Sequence, residues 1–98
     1  MIQYQTTFLV SQVVKYRFYP GLRVLFNPSN IIRISNQTSH PLCLRNCMLS
    51  AVDGCVSIQY KKPRCFLLKV KKLNLSIQKD PEFFYYELQD PSMSGKQF

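Results

Sequence analysis

The segment that decides the fold spans residues 43–65 and reads CLRNCMLSAVDGCVSIQYKKPRC. It contains all four cysteines of the chain, at positions 43, 47, 55 and 65. Cys43 and Cys47 are four residues apart, so on a helix both face the same side. A bond between them would constrain only a single helical turn, and the useful partners therefore lie downstream. Of the three pairings that four cysteines allow, we predict Cys43–Cys65 with Cys47–Cys55.

The predicted helix carries the first cysteine pair. It begins near Ser39, which is a good N-cap residue, and runs to about Ala51. Asp53 and Gly54 then end it, because glycine suits the left-handed position that follows a helix. A buried face is predicted from helical spacing, at Leu44, Cys47, Met48 and Ala51.

Segments rich in β-forming residues flank this helix and predict strands, at residues 1–19, 22–26, 31–34, 55–60, 65–70 and 83–88. Pro20 and Gly21 predict a turn between the first two of these segments. The two strands after the helix predict a hairpin, closed by the polar residues 61–64. We therefore expect an α+β fold, with one helix packed on a small twisted antiparallel sheet and stapled by disulfides.

The length of 98 residues is that of one domain, with little room for a second core. Residues 20–88 are predicted to form the folded module. Residues 1–19 are an N-terminal strand segment whose membership of the fold stays open, and residues 89–98 are predicted to be a flexible tail. Four cysteines within one short stretch, with none left over, favour disulfides and hence an oxidising, extracellular compartment.

Two N-x-[ST] sequons fit an extracellular location, and Asn36 and Asn74 are the predicted glycosylation sites. The N-terminus does not predict a signal peptide, because residues 6–14 include polar side chains, no basic residue precedes them and no cleavage motif follows. No apolar run is long enough to cross a bilayer. We therefore expect a secreted or ectodomain module that belongs to a longer protein.

The cysteine segments CLRNC (43–47), GCVSIQY (54–60) and CFLL (65–68) together resemble the core of a PAN/apple domain. The aromatic segment FYYE (84–87) is similar to the last strand of that family, and the resemblance covers about residues 20–88. It implies the same nested cysteine pairing. The additional cysteine pair of apple domains proper is absent, so the chain resembles the minimal four-cysteine PAN core. Such modules bind proteins or carbohydrates without catalysis, and the resemblance implies binding of this kind.

Basic residues dominate the charge, which is +8 from 13 Lys and Arg against five Asp and Glu. They cluster at and after the hairpin turn, where the candidate ligand-binding residues are Lys61, Lys62, Arg64, Lys69 and Lys71. On a strand, Lys69 and Lys71 are expected to share one face. Such a patch attracts polyanions: a sulfated glycan such as heparin, an acidic protein or, as a weaker alternative, nucleic acid. The plainest interpretation is a solvated hairpin edge.

Other chemistries have less support from the residues. Zinc would use Cys43 and Cys47 with His40 or the later cysteines, but those later cysteines form no second knuckle. His40 is the only histidine, and no carboxylates are paired for acid–base work. We predict no enzyme, no cofactor and no metal site. A small intracellular zinc- or nucleic-acid-binding domain is the alternative function.

Overall fold

A computed structural model of the protein describes residues 3–9 and 12–89, with side chains for residues 15–73 and 75–89. The described residues form one α-helix and six strands: β1 (Gln3–Leu9), β2 (Gln12–Leu25), β3 (Ile31–Asn36), α1 (His40–Leu49), β4 (Ser57–Lys61), β5 (Arg64–Leu68) and β6 (Ser76–Leu88). Short 3-10 turns occupy Pro28–Asn30, Ala51–Asp53 and Lys72–Asn74. The strands form a single antiparallel sheet in the order β1-β2-β6-β4-β5-β3.

The predicted combination of one helix, an antiparallel sheet and two disulfides is confirmed. Strands account for most of the described chain, so the term α+β describes the fold only roughly.

The helix starts where the sequence predicts and ends slightly earlier. The Ser39 hydroxyl accepts a hydrogen bond from the N–H of Leu42 at 3.5 Å, as an N-cap does. Gly54 has a φ of 91°, the left-handed conformation that glycine adopts at no steric cost. Ala51 is exposed rather than buried, because α1 ends at Leu49 and Ala51 lies in the following turn. The other three residues of the predicted face are buried: Leu44, Cys47 and Met48.

Two disulfides connect α1 to the segments that follow it. Cys43 is bonded to Cys65 in β5, and Cys47 is bonded to Cys55, with 5.4 Å between the Cα atoms in each case. This is the pairing that the sequence predicts. All four residues are buried. The first bond ties the helix to the sheet, and the second ties the later part of the helix to the segment entering β4.

The sheet buries apolar side chains on both of its faces. The face under α1 carries the larger cluster, which includes Ile58 and Leu67. The opposite face carries a second cluster that includes Val24, Leu68 and Tyr85. Because α1 lies on the other face of the sheet, an element other than the helix must cover this second cluster.

The prediction of a turn at Pro20 and Gly21 is wrong, since β2 continues through both residues. Its register against β6 shifts between Pro20 and Leu22. Gly21 has a φ of 74°, which permits an irregularity within a strand. Gly21 on β2 and residues 80–83 on β6, which include Pro81, have no cross-strand partner, so the ladder between β2 and β6 is interrupted there without ending either strand.

Beyond this irregularity, β2 and β6 continue as a two-stranded extension that we call the arm, residues 22–25 paired with 76–79. The arm lies against the sheet face opposite α1, where Gln59 of β4 holds it. Gln59 Nε2 donates to the carbonyl of Leu22 at 3.1 Å, and Gln59 Oε1 accepts from the N–H of Val24 at 2.6 Å. The arm thereby covers the second cluster.

The sheet also extends beyond the predicted module. Strand β1 pairs with β2 in the register from Gln3 opposite Phe18 to Leu9 opposite Gln12. The predicted last strand at 83–88 is the second half of β6. Of the tail predicted at residues 89–98, the structure describes Gln89, whose N–H donates to the carbonyl of Lys15 at 2.8 Å, and residues 90–98 lie outside the described residues.

Candidate functional site

A groove of about 390 Å³ lies between the arm and the β4–β5 hairpin. The arm and the residue after it supply one wall, and β4, β5 and β6 supply the floor and the other wall. Its lining combines apolar and aromatic side chains with one glutamine and three cations. The nine lining residues are Arg23, Val24, Leu25, Phe26, Gln59, Lys61, Arg64, Phe66 and Phe83. The groove is therefore an aromatic cleft carrying positive charge.

The three cations come from three different strands, with Arg23 on β2, Lys61 on β4 and Arg64 on β5. Lys61 and Arg64 are direct cross-strand partners, so two like charges stand side by side on one face. Like charges in this position repel each other and destabilise the pairing. A bound anion would remove that repulsion, which makes this end of the hairpin a favourable place for negative charge.

Two of these cations are held by an aromatic ring. The guanidinium carbon of Arg23 lies 5.0 Å from the ring centroid of Phe83, and Lys61 Nζ lies 5.5 Å from the same centroid. Lys61 also pairs with Glu82 at 3.3 Å, on an exposed edge where such a pair contributes little. Arg64 makes neither an ion pair nor a side-chain hydrogen bond within the described residues. Its five N–H donors remain open to a ligand.

The three rings that line the groove are partly buried, and two of them are in contact. Phe26 and Phe66 pack at 5.3 Å between centroids, in a tilted arrangement. Phe83 belongs to the aromatic run at residues 83–86, in which strand alternation lets at most two rings face outward together. Tyr85 of the same run is fully buried. Phe83 is therefore the ring of β6 that lines this groove, where Arg23 and Lys61 lie over it.

The structure does not bring all five predicted ligand residues together. Lys61, Lys62 and Arg64 lie at the closed end of the hairpin, whereas Lys69 and Lys71 follow the other end of β5. A strand rises about 3.3 Å per residue, which separates Arg64 from Lys69 by roughly 17 Å. The predicted patch is therefore two groups of cations.

The expectation that Lys69 and Lys71 share a strand face is wrong, because β5 ends at Leu68. The N–H of Lys69 instead donates to the carbonyl of Asn30 at 3.0 Å, and Lys71 is the residue that precedes a 3-10 turn. The chain leaves the strand at this point, so the alternation on which the expectation depends no longer applies.

A second hollow near Lys71 and Lys72, of about 300 Å³, is less suited to an anion. The Glu87 carboxylate lies in it, accepting hydrogen bonds from the Tyr85 hydroxyl at 2.9 Å and the N–H of Lys72 at 3.0 Å. Burial, and then the charge of Glu87, raise the pKa of Tyr85, which therefore stays a hydrogen-bond donor. An anion would meet this carboxylate, whereas no acidic residue is among the described residues that line the groove, and Glu82 pairs with Lys61 at its exposed edge.

The two sequons lie at different places in the fold. Asn36 is exposed at the end of β3 and is the cross-strand partner of Arg64, so its side chain is on the groove face of the sheet. Asn74 lies in the 3-10 turn before β6, and its side chain is outside the described residues. Glycosylation at both positions stays a prediction.

The residues considered for zinc are engaged in other contacts. All four thiols are in disulfides, and His40 packs 4.3 Å from the ring of Phe84. His40 Nδ1 and the Tyr86 hydroxyl share a hydrogen bond of 2.7 Å. Among the described residues there is no group of three or more side chains suited to hold a metal ion.

His40 predicts a dependence of stability on pH. Burial lowers the pKa of His40 below 6.5, because desolvation disfavours the imidazolium. The unfolded chain then binds its proton at a higher pH than the folded chain, so stability falls as the pH drops through about 6.5. We expect the Tm of the wild type to fall more between pH 7.5 and pH 5.5 than that of His40→Gln. Equal falls in both proteins would contradict this role.

No helix in the described part of the chain is long and apolar enough to cross a membrane.

Of the residues that make the groove, sequence reasoning identified Lys61 and Arg64 but missed Arg23. Nothing in the local sequence marks Arg23, because it lines the groove only through the position of the arm against the sheet. Only information on the long-range contact between β2 and β4 would have placed Arg23 beside the hairpin.

These features define a small, disulfide-bonded, largely β domain with a cation-rimmed aromatic groove. Two disulfides point to an extracellular or otherwise oxidising environment. No protein-family model, curated protein or solved structure matches the chain.

Proposed function

We propose that this protein is a non-catalytic extracellular binding module of the PAN/apple type, whose ligands are anionic. The observation that carries the proposal is the convergence of Arg23, Lys61 and Arg64 on the rim of one aromatic groove. The ligand classes that this charge favours are sulfated glycans and acidic proteins.

The rigid scaffold supports a binding role. The groove is built on strands, and the disulfide Cys43–Cys65 ends in β5, next to Arg64. A site on strands loses less conformational entropy on binding than a site on a free loop. The resemblance of the cysteine segments to a PAN core supports the same class of function.

The proposal predicts that charge at the groove matters more than charge elsewhere. In Arg23→Glu/Arg64→Glu, two rim cations are reversed. In the matched control Lys69→Glu/Lys71→Glu, the net charge changes by the same amount at the other cation group. We expect the first variant to bind a heparin oligosaccharide about tenfold more weakly than wild type, and the control to bind within about threefold.

The measurement is the dissociation constant at two salt concentrations, together with the salt concentration that elutes each protein from a heparin column. The groove variant should also show a smaller dependence on salt, because fewer counterions are released on binding. Equal losses in the two variants would show that only net charge matters. A wild type that binds neither heparin nor polyglutamate would overturn the proposal.

A further inference from the structure

The groove has more apolar surface than an anion alone requires. Leu25 is 43% exposed and lines the groove, and Val24 lies below it. The partly buried rings of Phe26, on the same wall, and Phe66, on β5, also line the groove and pack against each other at 5.3 Å. Polar and sulfated chains carry charge along their whole length, whereas this cleft has charge at its rim and apolar walls within. Its chemistry fits a ligand with an apolar group between negative charges.

We propose that the groove binds an acidic segment of a partner protein, which inserts one aromatic or large aliphatic side chain between the arm and the β4–β5 hairpin. The carboxylates on either side of that side chain pair with the rim cations. This inference rests on the proposed anion-binding function and names the ligand class of the same site.

Charge complementarity identifies the occupant. Two of the three rim cations, Arg23 and Arg64, are arginines, whose planar guanidinium forms paired hydrogen bonds with a carboxylate. They stand on opposite sides of the groove, one on the arm and one on the hairpin. A chain that crosses the groove can therefore place a carboxylate at each side while its central side chain enters the cleft.

The size of the groove fits a single inserted side chain. A volume of about 390 Å³ is near the lower end of the range for ligand pockets, roughly 300–1,000 Å³. Burying one phenylalanine side chain against apolar walls is expected to raise affinity about tenfold or more over alanine at the same place. This difference separates insertion from simple charge attraction.

The experiment uses two probe peptides and one heparin oligosaccharide. The first peptide has one phenylalanine flanked on each side by two acidic residues, and the second has alanine in its place. Dissociation constants are measured for wild type, Leu25→Asp and Leu49→Asp. Leu49 is 57% exposed on α1, on the other face of the sheet, so Leu49→Asp makes the same substitution away from the groove.

We expect the phenylalanine peptide to bind wild type and Leu49→Asp about tenfold more tightly than the alanine peptide. Leu25→Asp should lose this preference, since a carboxylate then lies on the apolar wall. Equal binding of the two peptides by wild type, with heparin still bound, overturns the inference and leaves the proposed function standing. Failure of both peptides and heparin to bind overturns both. Circular dichroism and intact disulfides in Leu25→Asp establish that the variant is folded.

Discussion

Replacing Cys43 and Cys65 together with alanine is expected to lower the free energy of unfolding by about 3.3 kcal/mol, and replacing Cys47 and Cys55 by about 2.5 kcal/mol. The difference follows from the lengths of the loops that the two bonds close: Cys43 and Cys65 are 22 residues apart in sequence, and Cys47 and Cys55 are 8 residues apart. A longer loop removes more conformational entropy from the unfolded chain. For a small domain with a stability of about 5–10 kcal/mol, either loss is severe.

The measurement is denaturation by guanidinium chloride for wild type and both double variants under oxidising conditions. The two variants are natural controls for each other, because each removes one buried cystine from the same core. They differ in what they release: the first frees α1 from β5, and the second frees it only from the segment before β4. Equal losses, or a larger loss without Cys47 and Cys55, would contradict the dominance of loop length.

The disulfides and the helix can be predicted from sequence because they depend on local signals. The spacing of Cys43 and Cys47 fixes their common face, and Ser39 and Gly54 mark the ends of the helical region. The hairpin is similarly local, since its two strands are joined by two residues. These features do not depend on how distant parts of the chain meet.

The groove could not be predicted in the same way. It depends on β2 continuing through Pro20 and Gly21, a pair that locally favours a turn. In the structure Pro20 pairs with Phe84 and Leu22 pairs with Lys79, so β2 runs through both residues with a register shift between them. Arg23 lines the groove because β2 continues past this shift as the arm, which Gln59 holds against the sheet. The sequence therefore identifies the hairpin cations but gives no indication that they stand beside an aromatic cleft.

Because the groove needs the arm to lie against the sheet, it relies on Gln59, which holds the arm there. Its side chain is 1% exposed and bonds to three backbone groups: the N–H of Val24 at 2.6 Å, and the carbonyls of Leu22 at 3.1 Å and Phe84 at 3.3 Å. The first two bonds hold the arm against the sheet. The Gln59 side chain thus joins β4 to the arm, two elements that are not paired with each other in the sheet.

Gln59→Leu is therefore expected to lower the free energy of unfolding by about 2–4 kcal/mol, because a side chain of similar size leaves the Val24 N–H and the Leu22 carbonyl without partners. The variant should also lose binding at the groove, since the arm is no longer held over it. Gln78→Leu is the matched control for stability: Gln78 is exposed and, among the described residues, accepts a hydrogen bond from Arg23 alone, at 3.3 Å, so the free energy of unfolding should change by less than about 0.5 kcal/mol.

Chemical denaturation measures the stabilities, and hydrogen exchange at the Val24 amide reports directly on the arm. In Gln59→Leu that amide should exchange much faster than in wild type, while amides of β5 beneath α1 keep their protection relative to global unfolding. Unchanged exchange at Val24 would show that packing of the second cluster, and not Gln59, positions the arm. The groove would then depend on Leu68 and Tyr85, and Gln59→Leu would retain its ligand.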